Sequence, residues 1–151
     1  MEHLVYCDKQ GKVLNKLLDG SKTKIIRGAA GRKLPHSRVF AGETLYFVEN
    51  DGSGMIKAKA QVKSVFNSEK MTPEESIAII DAEAAALNLS PKQYDRWAGK
   101  KVLCIIEVEN VEPIEPMEYD RQKNMDDWIT VEDIHSILVG GEGGYESLRI
   151  K

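Results

Sequence analysis

The chain has 151 residues, of which 42% are hydrophobic, 30% charged and 7% aromatic. A chain of this length buries roughly 68–70% of the surface that it exposes when unfolded, so a single domain needs neither a metal ion nor a disulfide for stability. Its 21 Lys and Arg residues and 24 Asp and Glu residues give a formal net charge of −3. This near balance argues against a histone-like protein or a ribosomal tail.

The charges are unevenly distributed along the sequence. Residues 9–38 contain a single acid, Asp19, and nine bases: Lys9, Lys12, Lys16, Lys22, Lys24, Arg27, Arg32, Lys33 and Arg38. The segment therefore carries +8 and the remainder −11, which together make the total of −3. This run predicts one positive surface, and nucleic acid is the commonest partner with so wide an anionic footprint. The alternative is a solvated basic segment that binds nothing.

The cysteines and histidines give no sign of a disulfide, a metal site or a cofactor. Cys7 and Cys104 lie far apart inside apolar runs, as buried free thiols do. The three histidines lack the spacing of metal ligands. The sequence also has neither a pattern typical of a secretion signal nor 18 consecutive apolar residues. We therefore expect a cytoplasmic protein that does not associate with membranes.

The first sixty residues predict one helix among several strands. Val13, Leu14, Leu17 and Leu18 recur with helical spacing, and Gly20 supplies the stop. At residues 56–62, apolar side chains alternate with polar ones, which predicts a half-buried antiparallel strand with a basic outer row. In chain order we predict a strand at 2–7, a helix at 13–18, strands at 23–28 and 44–49 with a basic loop at 29–37 between them, and the strand at 56–62.

The second half predicts two capped helices and a long strand. Residues 72–75 (TPEE) combine a capping Thr, a first-turn Pro and a Glu, and residues 90–93 (SPKQ) repeat the signal. Residues 101–111 (KVLCIIEVENV) form the strongest strand pattern, which Pro113 and Pro116 are predicted to end. We then predict a polar linker at 118–127, a short helix at 130–138 and a glycine-rich joint at 139–144. The joint lacks the Lys-Ser or Lys-Thr of a phosphate-binding loop.

This order of elements does not alternate regularly between strand and helix, so it disfavours a parallel sheet. It predicts an α+β fold, a mostly antiparallel β-barrel with flanking helices. We divide the chain into a barrel domain, residues 1–116, and an extension, residues 117–151, made of the linker, the short helix and the glycine-rich end.

One local pattern goes beyond composition. Residues 20–27, Gly-Ser-Lys-Thr-Lys-Ile-Ile-Arg, leave the basic helix and enter a strand. The segment resembles the GxKxxExR signature of ASCH domains, a branch of the PUA-like superfamily. The preceding VLNKLLDG and the following VFAGETLY resemble the flanks of the family motif. The resemblance covers residues 2–115, about three quarters of the chain, and extends to an archaeal branch of the same superfamily.

The resemblance implies an RNA-binding or nucleotide-binding module that acts in RNA processing or modification. In the family, the positions matching Gly20, Lys22 and Arg27 line a cleft between the helix and the barrel. Gly20 allows the backbone to turn with positive φ, and Arg27 offers a planar fork suited to a phosphate or a base edge. The expected ligand-binding residues are Gly20, Lys22, Lys24, Arg27, Arg32, Lys33, Arg38 and Tyr46, with Tyr46 or Trp97 stacking on a base.

Ile25 departs from the family pattern. ASCH domains commonly carry Glu there, and small bacterial members resembling amidohydrolases of acetylated cytidine use Thr with the motif Lys. Ile25 can neither donate nor accept a proton, so binding without hydrolysis is the favoured hypothesis. The alternative is a small hydrolase of a modified nucleoside, with Lys22 and Thr23 as catalytic residues. A third hypothesis is a protein-interaction domain that uses the acidic C-terminal segment.

Overall fold

The computed structural model describes residues 1–120 and 127–139, which contain six strands and four helices. The strands are β1 (Glu2–Cys7), β2 (Lys24–Ala29), β3 (Thr44–Glu49), β4 (Met55–Asn67), β5 (Val102–Glu118) and β6 (Trp128–Val131). The helices are α1 (Val13–Asp19), α2 (Pro73–Ala82), α3 (Ala84–Leu87) and α4 (Pro91–Trp97), and a 3₁₀ turn at Ile134–Ile137 follows β6.

The strands form one sheet in the order β2-β5-β4-β3-β1-β6. Neighbouring strands are antiparallel except β1 and β3, which run parallel because α1 and β2 form the connection between them. The sheet curls into a half-barrel with the helices around it. The prediction of an α+β, mostly antiparallel PUA-like barrel is therefore confirmed.

Two hydrophobic cores hold helices against opposite sides of β2. In the larger core, Val13, Leu14 and Leu17 of α1 pack with Ile25 and residues of the central strands. In the other, Ile26 packs with buried side chains of α2, α3, α4 and β5: Ile80, Leu87, Trp97, Leu103 and Ile105. Because consecutive strand residues face opposite sides, β2 is fixed between α1 and α4. This arrangement positions the candidate site.

Several local signals act as the sequence predicts. Gly20 ends α1 with φ of 82°, and both predicted capping boxes are formed, at Thr72 with Glu75 and at Ser90 with Gln93. On β4 the apolar residues Ile56, Ala58, Ala60 and Val62 are buried, while the intervening lysines are at least partly exposed. These features depend on neighbours in sequence, which is why local rules capture them.

The prediction that Pro113 and Pro116 end the long strand is wrong, because β5 continues through both to Glu118. The pairing of β5 with β2 ends at Glu107, so beyond that point its second edge has no strand neighbour among the described residues. A proline is tolerated where its missing N–H has no ladder partner. Register shifts between β4 and β5, and Asn110 with φ of 54°, accommodate the irregularity.

The predicted helix at 130–138 is also wrong. Trp128–Val131 forms β6, which pairs with β1, and only the 3₁₀ turn at Ile134–Ile137 is helical. Pairing with an available sheet edge outweighs weak helix signals in so short a segment. The described residues 127–139 thus pack on the same sheet as the barrel. The division at residue 116 stays a prediction, and the glycine-rich joint lies mostly outside the described residues.

Candidate functional site

A side chain, rather than a strand ladder, joins β2 to β1. Within the described part of the chain, no backbone pairing links these two strands. Instead, the Arg27 guanidinium donates through Nη1 to the Ile26 carbonyl at 2.9 Å and through Nη2 to the Tyr6 carbonyl at 2.8 Å. We call this junction the seam. Arg27 is therefore a structural bridge as well as a buried positive charge.

The charge of Arg27 is only partly balanced. The side chain is 16% exposed, and its Nε lies 3.3 Å from Asp127 Oδ2 in a geometry that leaves Nε without a hydrogen bond. Burial lowers the pKa of Arg27, and Asp127 opposes this effect. The guanidinium stays charged, because arginine does not lose its proton in proteins. It also lies 5.6 Å and 6.0 Å from the ring centroids of Trp128 and Trp97.

Lys22 is the second buried cation. The turn at Gly20 brings the chain back on α1, where the Lys22 N–H donates to the Lys16 carbonyl. The Lys22 side chain is 3% exposed, and its ammonium donates to the Leu87 carbonyl at the end of α3. Burial, with the neighbouring charges of Arg27 and Lys16, lowers the pKa of Lys22 to about 7. No carboxylate of the described residues lies within 4 Å of it.

Lys22 and Arg27 converge on one cavity of about 310 Å³ between α1, α4 and the seam. Lys92 and Arg96 of α4 add two more cations to its lining, and the lining carboxylates are those of Asp8 and Asp127. Trp97 forms an aromatic wall, and the Arg96 guanidinium lies 4.4 Å from its ring centroid. Ile25 contributes an apolar surface. The cavity is suited to an anion with a flat apolar part.

Two further cavities extend from this one. The first, of about 170 Å³, shares Arg27, Arg96, Trp97 and Asp127 with it. The next, of about 670 Å³, shares Lys33, Leu34 and His36 with the second. We call the three cavities together the cationic groove. Its basic side chains are Lys22, Arg27, Arg32, Lys33, Arg38, Lys92, Arg96 and Lys100.

Most of the predicted ligand-binding residues lie on the cationic groove, but three do not. Lys22, Arg27, Arg32, Lys33 and Arg38 line it, as does Trp97. Lys24 forms an ion pair with Glu83 at 2.7 Å and lies outside it. Tyr46 is buried in a different core cluster, around β3 and β6. Gly20 shapes the turn without lining a cavity.

The catalytic pair of the hydrolase hypothesis is not brought together. Thr23 is exposed and does not line the cavity that holds Lys22, although the alternation of β2 predicts that it shares a face with Ile25. The Thr23 backbone is held at the strand mouth instead, where its N–H donates to the Ala86 carbonyl of α3 at 3.0 Å. The cavity wall at this point is the apolar Ile25.

The predicted single positive surface is divided by acidic partners. Asp51 lies 3.7 Å from Lys9, Glu69 lies 3.2 Å from Arg32, and Glu83 pairs with Lys24. Among the described residues, Lys12, Lys16, Lys33 and Arg38 have no carboxylate within 4 Å. Of these four, Lys33 and Arg38 lie on the cationic groove, whereas Lys12 and Lys16 line none of its three cavities.

Sequence reasoning missed Lys92, Arg96 and Asp127. Arg96 directly precedes Trp97 in α4, a helix whose capping signals are clear in the sequence. Those signals could have indicated that Lys92 and Arg96 lie on the same helix as Trp97. Asp127 lies in a segment that was interpreted as linker. Its backbone carbonyl accepts from the Tyr6 N–H at 3.0 Å, which places its carboxylate beside Arg27.

The described residues offer neither a metal site nor a reactive thiol. There, no three His, Cys, Asp or Glu side chains lie close enough to hold a metal ion. Cys7 and Cys104 are buried free thiols whose pKa burial raises to about 12, so they are unreactive. No helix in the described ranges is long and apolar enough to span a membrane.

The chain is similar in structure to ASCH from Zymomonas mobilis, with a TM-score of 0.64 and 13% identity over 97% of this chain and 94% of that one. Two single-residue variants of that protein also give 0.64 at 13% identity. One match covers 88% of this chain and 91% of the variant, the other 88% and 89%. No family model and no curated protein matches the sequence. The fold is of the ASCH type.

Proposed function

From this ASCH-type fold, we propose that the chain is a PUA-like module that binds single-stranded RNA, or a nucleotide-like ligand, in the cationic groove. We further propose that it acts in RNA processing or modification in the cytoplasm. One observation carries the proposal: two buried cations, Lys22 and Arg27, line a single cavity in which carboxylates do not balance the basic side chains.

Buried unpaired charge is costly, and a bound anion would reduce that cost. A desolvated ammonium or guanidinium without a counterion costs several kcal/mol, and such groups are found mainly where a function requires them. The Lys22 ammonium has only a carbonyl partner. Arg27 has the Asp127 carboxylate 3.3 Å from its Nε, but this Nε makes no hydrogen bond. A phosphate oxygen would supply the missing acceptor to both side chains.

Trp97 and Arg96 favour a nucleotide over a simple anion. Bases stack on aromatic rings and on guanidinium planes in single-stranded RNA recognition. The Arg96 guanidinium already lies against the Trp97 ring, so the two form one flat surface beside the buried cations. A cavity of about 310 Å³ is at the small end of ligand sites and would accept one nucleotide.

The length of the cationic groove favours a chain of nucleotides over a single one. Beyond Trp97, the second and third cavities present Lys100, Lys33 and Arg38, which would contact successive phosphates. Phosphates recur at regular intervals along an extended RNA strand, so basic residues that follow one another along a groove can contact them in turn.

The test is a titration of fluorescent single-stranded RNA of about ten nucleotides, followed by anisotropy over a series of salt concentrations. We expect log affinity to fall linearly with log salt, with a slope of about −0.7 per neutralised phosphate. A mononucleotide should compete more weakly than the RNA. Absence of RNA binding at low salt would overturn the proposal. An affinity that does not change with salt concentration would indicate that the site takes a small uncharged ligand.

A further inference from the structure

The far end of the cationic groove holds a second arrangement, around His36. His36 is 6% exposed, and its Nε2 lies 2.8 Å from the Ser68 carbonyl oxygen. Its Nδ1 lies 2.8 Å from the hydroxyl of Ser37. Both residues line the cavity of about 670 Å³, and Ser37 is exposed to it.

These contacts determine which ring nitrogen carries the proton. A carbonyl oxygen only accepts hydrogen bonds, so Nε2 must carry a hydrogen and donate it to Ser68. In the neutral ring, Nδ1 is then an unprotonated acceptor, and the Ser37 hydroxyl donates to it. A serine nucleophile is activated when its hydroxyl donates to a histidine and a third group orients that histidine. Ser37, His36 and the Ser68 carbonyl have this arrangement.

The backbone holds Ser37 in this geometry. Its φ is 63°, in the left-handed region that a non-glycine residue seldom occupies, and its N–H donates to Asn67 Oδ1 at 2.9 Å. Residues kept in such conformations are enriched at functional sites. The neighbouring N–H groups of His36 and Arg38 donate to the carbonyls of Lys33 and Pro35. Backbone groups are therefore not available to hold an oxyanion here.

Basic side chains can hold the oxyanion instead of backbone N–H groups. Lys33 and Arg38 line the same cavity as Ser37, and neither has a carboxylate within 4 Å among the described residues. We infer that Ser37 and His36 form a nucleophile–base pair that hydrolyses carboxylic esters bearing an anionic group, with Lys33 or Arg38 holding the anionic group and the developing oxyanion. This activity goes beyond the proposed RNA binding and does not require it.

The reaction balances as an acyl transfer to water. Ser37 Oγ bonds to the ester carbonyl carbon while His36 Nδ1 takes the hydroxyl proton. The carbon–oxygen bond to the alcohol then breaks, and the imidazolium returns the proton to the departing oxygen. Water, deprotonated by the same Nδ1, attacks the acyl carbon. The bond from that carbon to Ser37 Oγ then breaks, the imidazolium returns the proton to Oγ, and the carboxylic acid leaves. No metal ion or redox partner takes part.

The experiment uses the whole chain with two chromogenic esters, neutral 4-nitrophenyl benzoate and anionic 4-nitrophenyl 4-sulfobenzoate, whose sulfonate cannot reach its own ester carbonyl. We expect a burst of nitrophenolate and an acyl group that mass spectrometry locates on Ser37. Ser37→Ala should abolish the burst, and Ser64→Ala should retain it, because the Ser64 hydroxyl donates to Glu107 and faces no histidine. The anionic ester should react faster, and Arg38→Gln should remove that preference.

His36→Gln separates chemistry from folding, because the glutamine amide still donates to Ser68 but offers no base to Ser37. Acylation should slow by about 10²-fold or more, while circular dichroism stays that of the wild type. If that variant does not fold, the position of the acyl group on the wild-type chain, located by mass spectrometry, still decides the assignment. Acylation at Lys22 instead, or no acylation of Ser37, would overturn the inference. The assay contains no RNA, so its failure would leave RNA binding untouched.

Discussion

The outer row of β4 and the seam both carry basic side chains, but their surroundings differ. On β4, Lys57 and Lys59 are each 41% exposed and lie 3.3 Å from Glu49 and 3.6 Å from Glu112. In the cavity beside the seam, Lys22 is 3% exposed, and its ammonium has only a carbonyl for a partner. Lysines that are exposed and paired form an ordinary solvated surface. A buried cation that has no carboxylate partner instead indicates a ligand-binding site.

This difference shows why charge counting misleads. The sequence places +8 within residues 9–38, yet Asp51, Glu69 and Glu83 from elsewhere in the chain pair with three of its bases. What distinguishes the candidate site is desolvation, which depends on how α1, α3 and α4 cover β2. Four substitutions test this distinction, beginning with the one of largest expected effect.

Arg27→Met should have the largest effect, because it removes both the bridge across the seam and a buried charge. We expect the free energy of unfolding to fall by about 2–4 kcal/mol and RNA affinity to fall by about 10²-fold. Arg27→Lys, which keeps the charge without the fork, should be intermediate in both. Urea denaturation and anisotropy measure the two effects, and unchanged affinity in Arg27→Met would contradict the site.

Lys22→Met should raise stability while it weakens binding. The wild-type pKa of about 7 lies below the unfolded value of 10.5, so the unfolded chain binds more protons between these values. Wild-type stability should therefore rise as pH increases from 7. In Lys22→Met this contribution is absent, and the variant should be about 1–3 kcal/mol more stable at pH 7. Denaturation at pH 7–8 measures the difference and stays below the pKa of 9.0 at which the cysteine thiols titrate in the unfolded chain.

The same variant tests the role of Lys22 in binding. A phosphodiester does not titrate above pH 6, so a loss of affinity between pH 7 and 9 reports deprotonation of the protein. We expect wild-type affinity to fall by up to about tenfold per pH unit, and Lys22→Met to bind weakly without this slope. An identical slope in both proteins would assign the titration to another group. Cys7 faces Lys22, but burial raises the pKa of its thiol to about 12.

Arg96→Gln should have a smaller effect. It removes a guanidinium that lies 4.4 Å from the Trp97 ring centroid but is 60% exposed. The lost stacking and cation–π contact correspond to about 0.5–1 kcal/mol, a two- to fivefold loss of RNA affinity. Stability should hardly change. A loss as large as that of Arg27→Met would mean that the exposed surface, rather than the buried pair, dominates binding.

The double variant Lys57→Ala with Lys59→Ala should have the smallest effect. Both lysines are 41% exposed, although Glu49 is 14% exposed, so their removal should change the free energy of unfolding by less than about 1 kcal/mol. RNA affinity at moderate salt should stay within about twofold. An effect similar to that of Lys22→Met would remove the distinction between the two regions.

Sequence reasoning captured what is encoded locally. The capping boxes of α2 and α4, the glycine stop at Gly20 and the alternation of β4 follow from neighbouring residues, and the order of elements indicated the barrel. The motif identified Lys22 and Arg27, which do share a cavity.

The failures come from pairing between distant segments. The passage of β5 through Pro113 depends on an edge that has no strand neighbour among the described residues, and β6 depends on pairing with an edge of β1. Tyr46 was misassigned because nothing local distinguishes a core tyrosine from a stacking one. The Ser37–His36 geometry likewise requires the Ser68 carbonyl, which lies on a different part of the chain.

The bridge at Arg27 has a mechanical consequence. A closed barrel has a fixed circumference, because opening it breaks a ladder of backbone hydrogen bonds. In this half-barrel one guanidinium hydrogen bond, from Arg27 to the Tyr6 carbonyl, crosses the gap between β2 and β1, and it is worth about 1–3 kcal/mol net. A ligand that accepts from Arg27 replaces it on entering, so the gap can widen at little net cost. The width of the gap between β2 and β1 can therefore adjust to the bound ligand, while the backbone hydrogen bonds between paired strands stay intact.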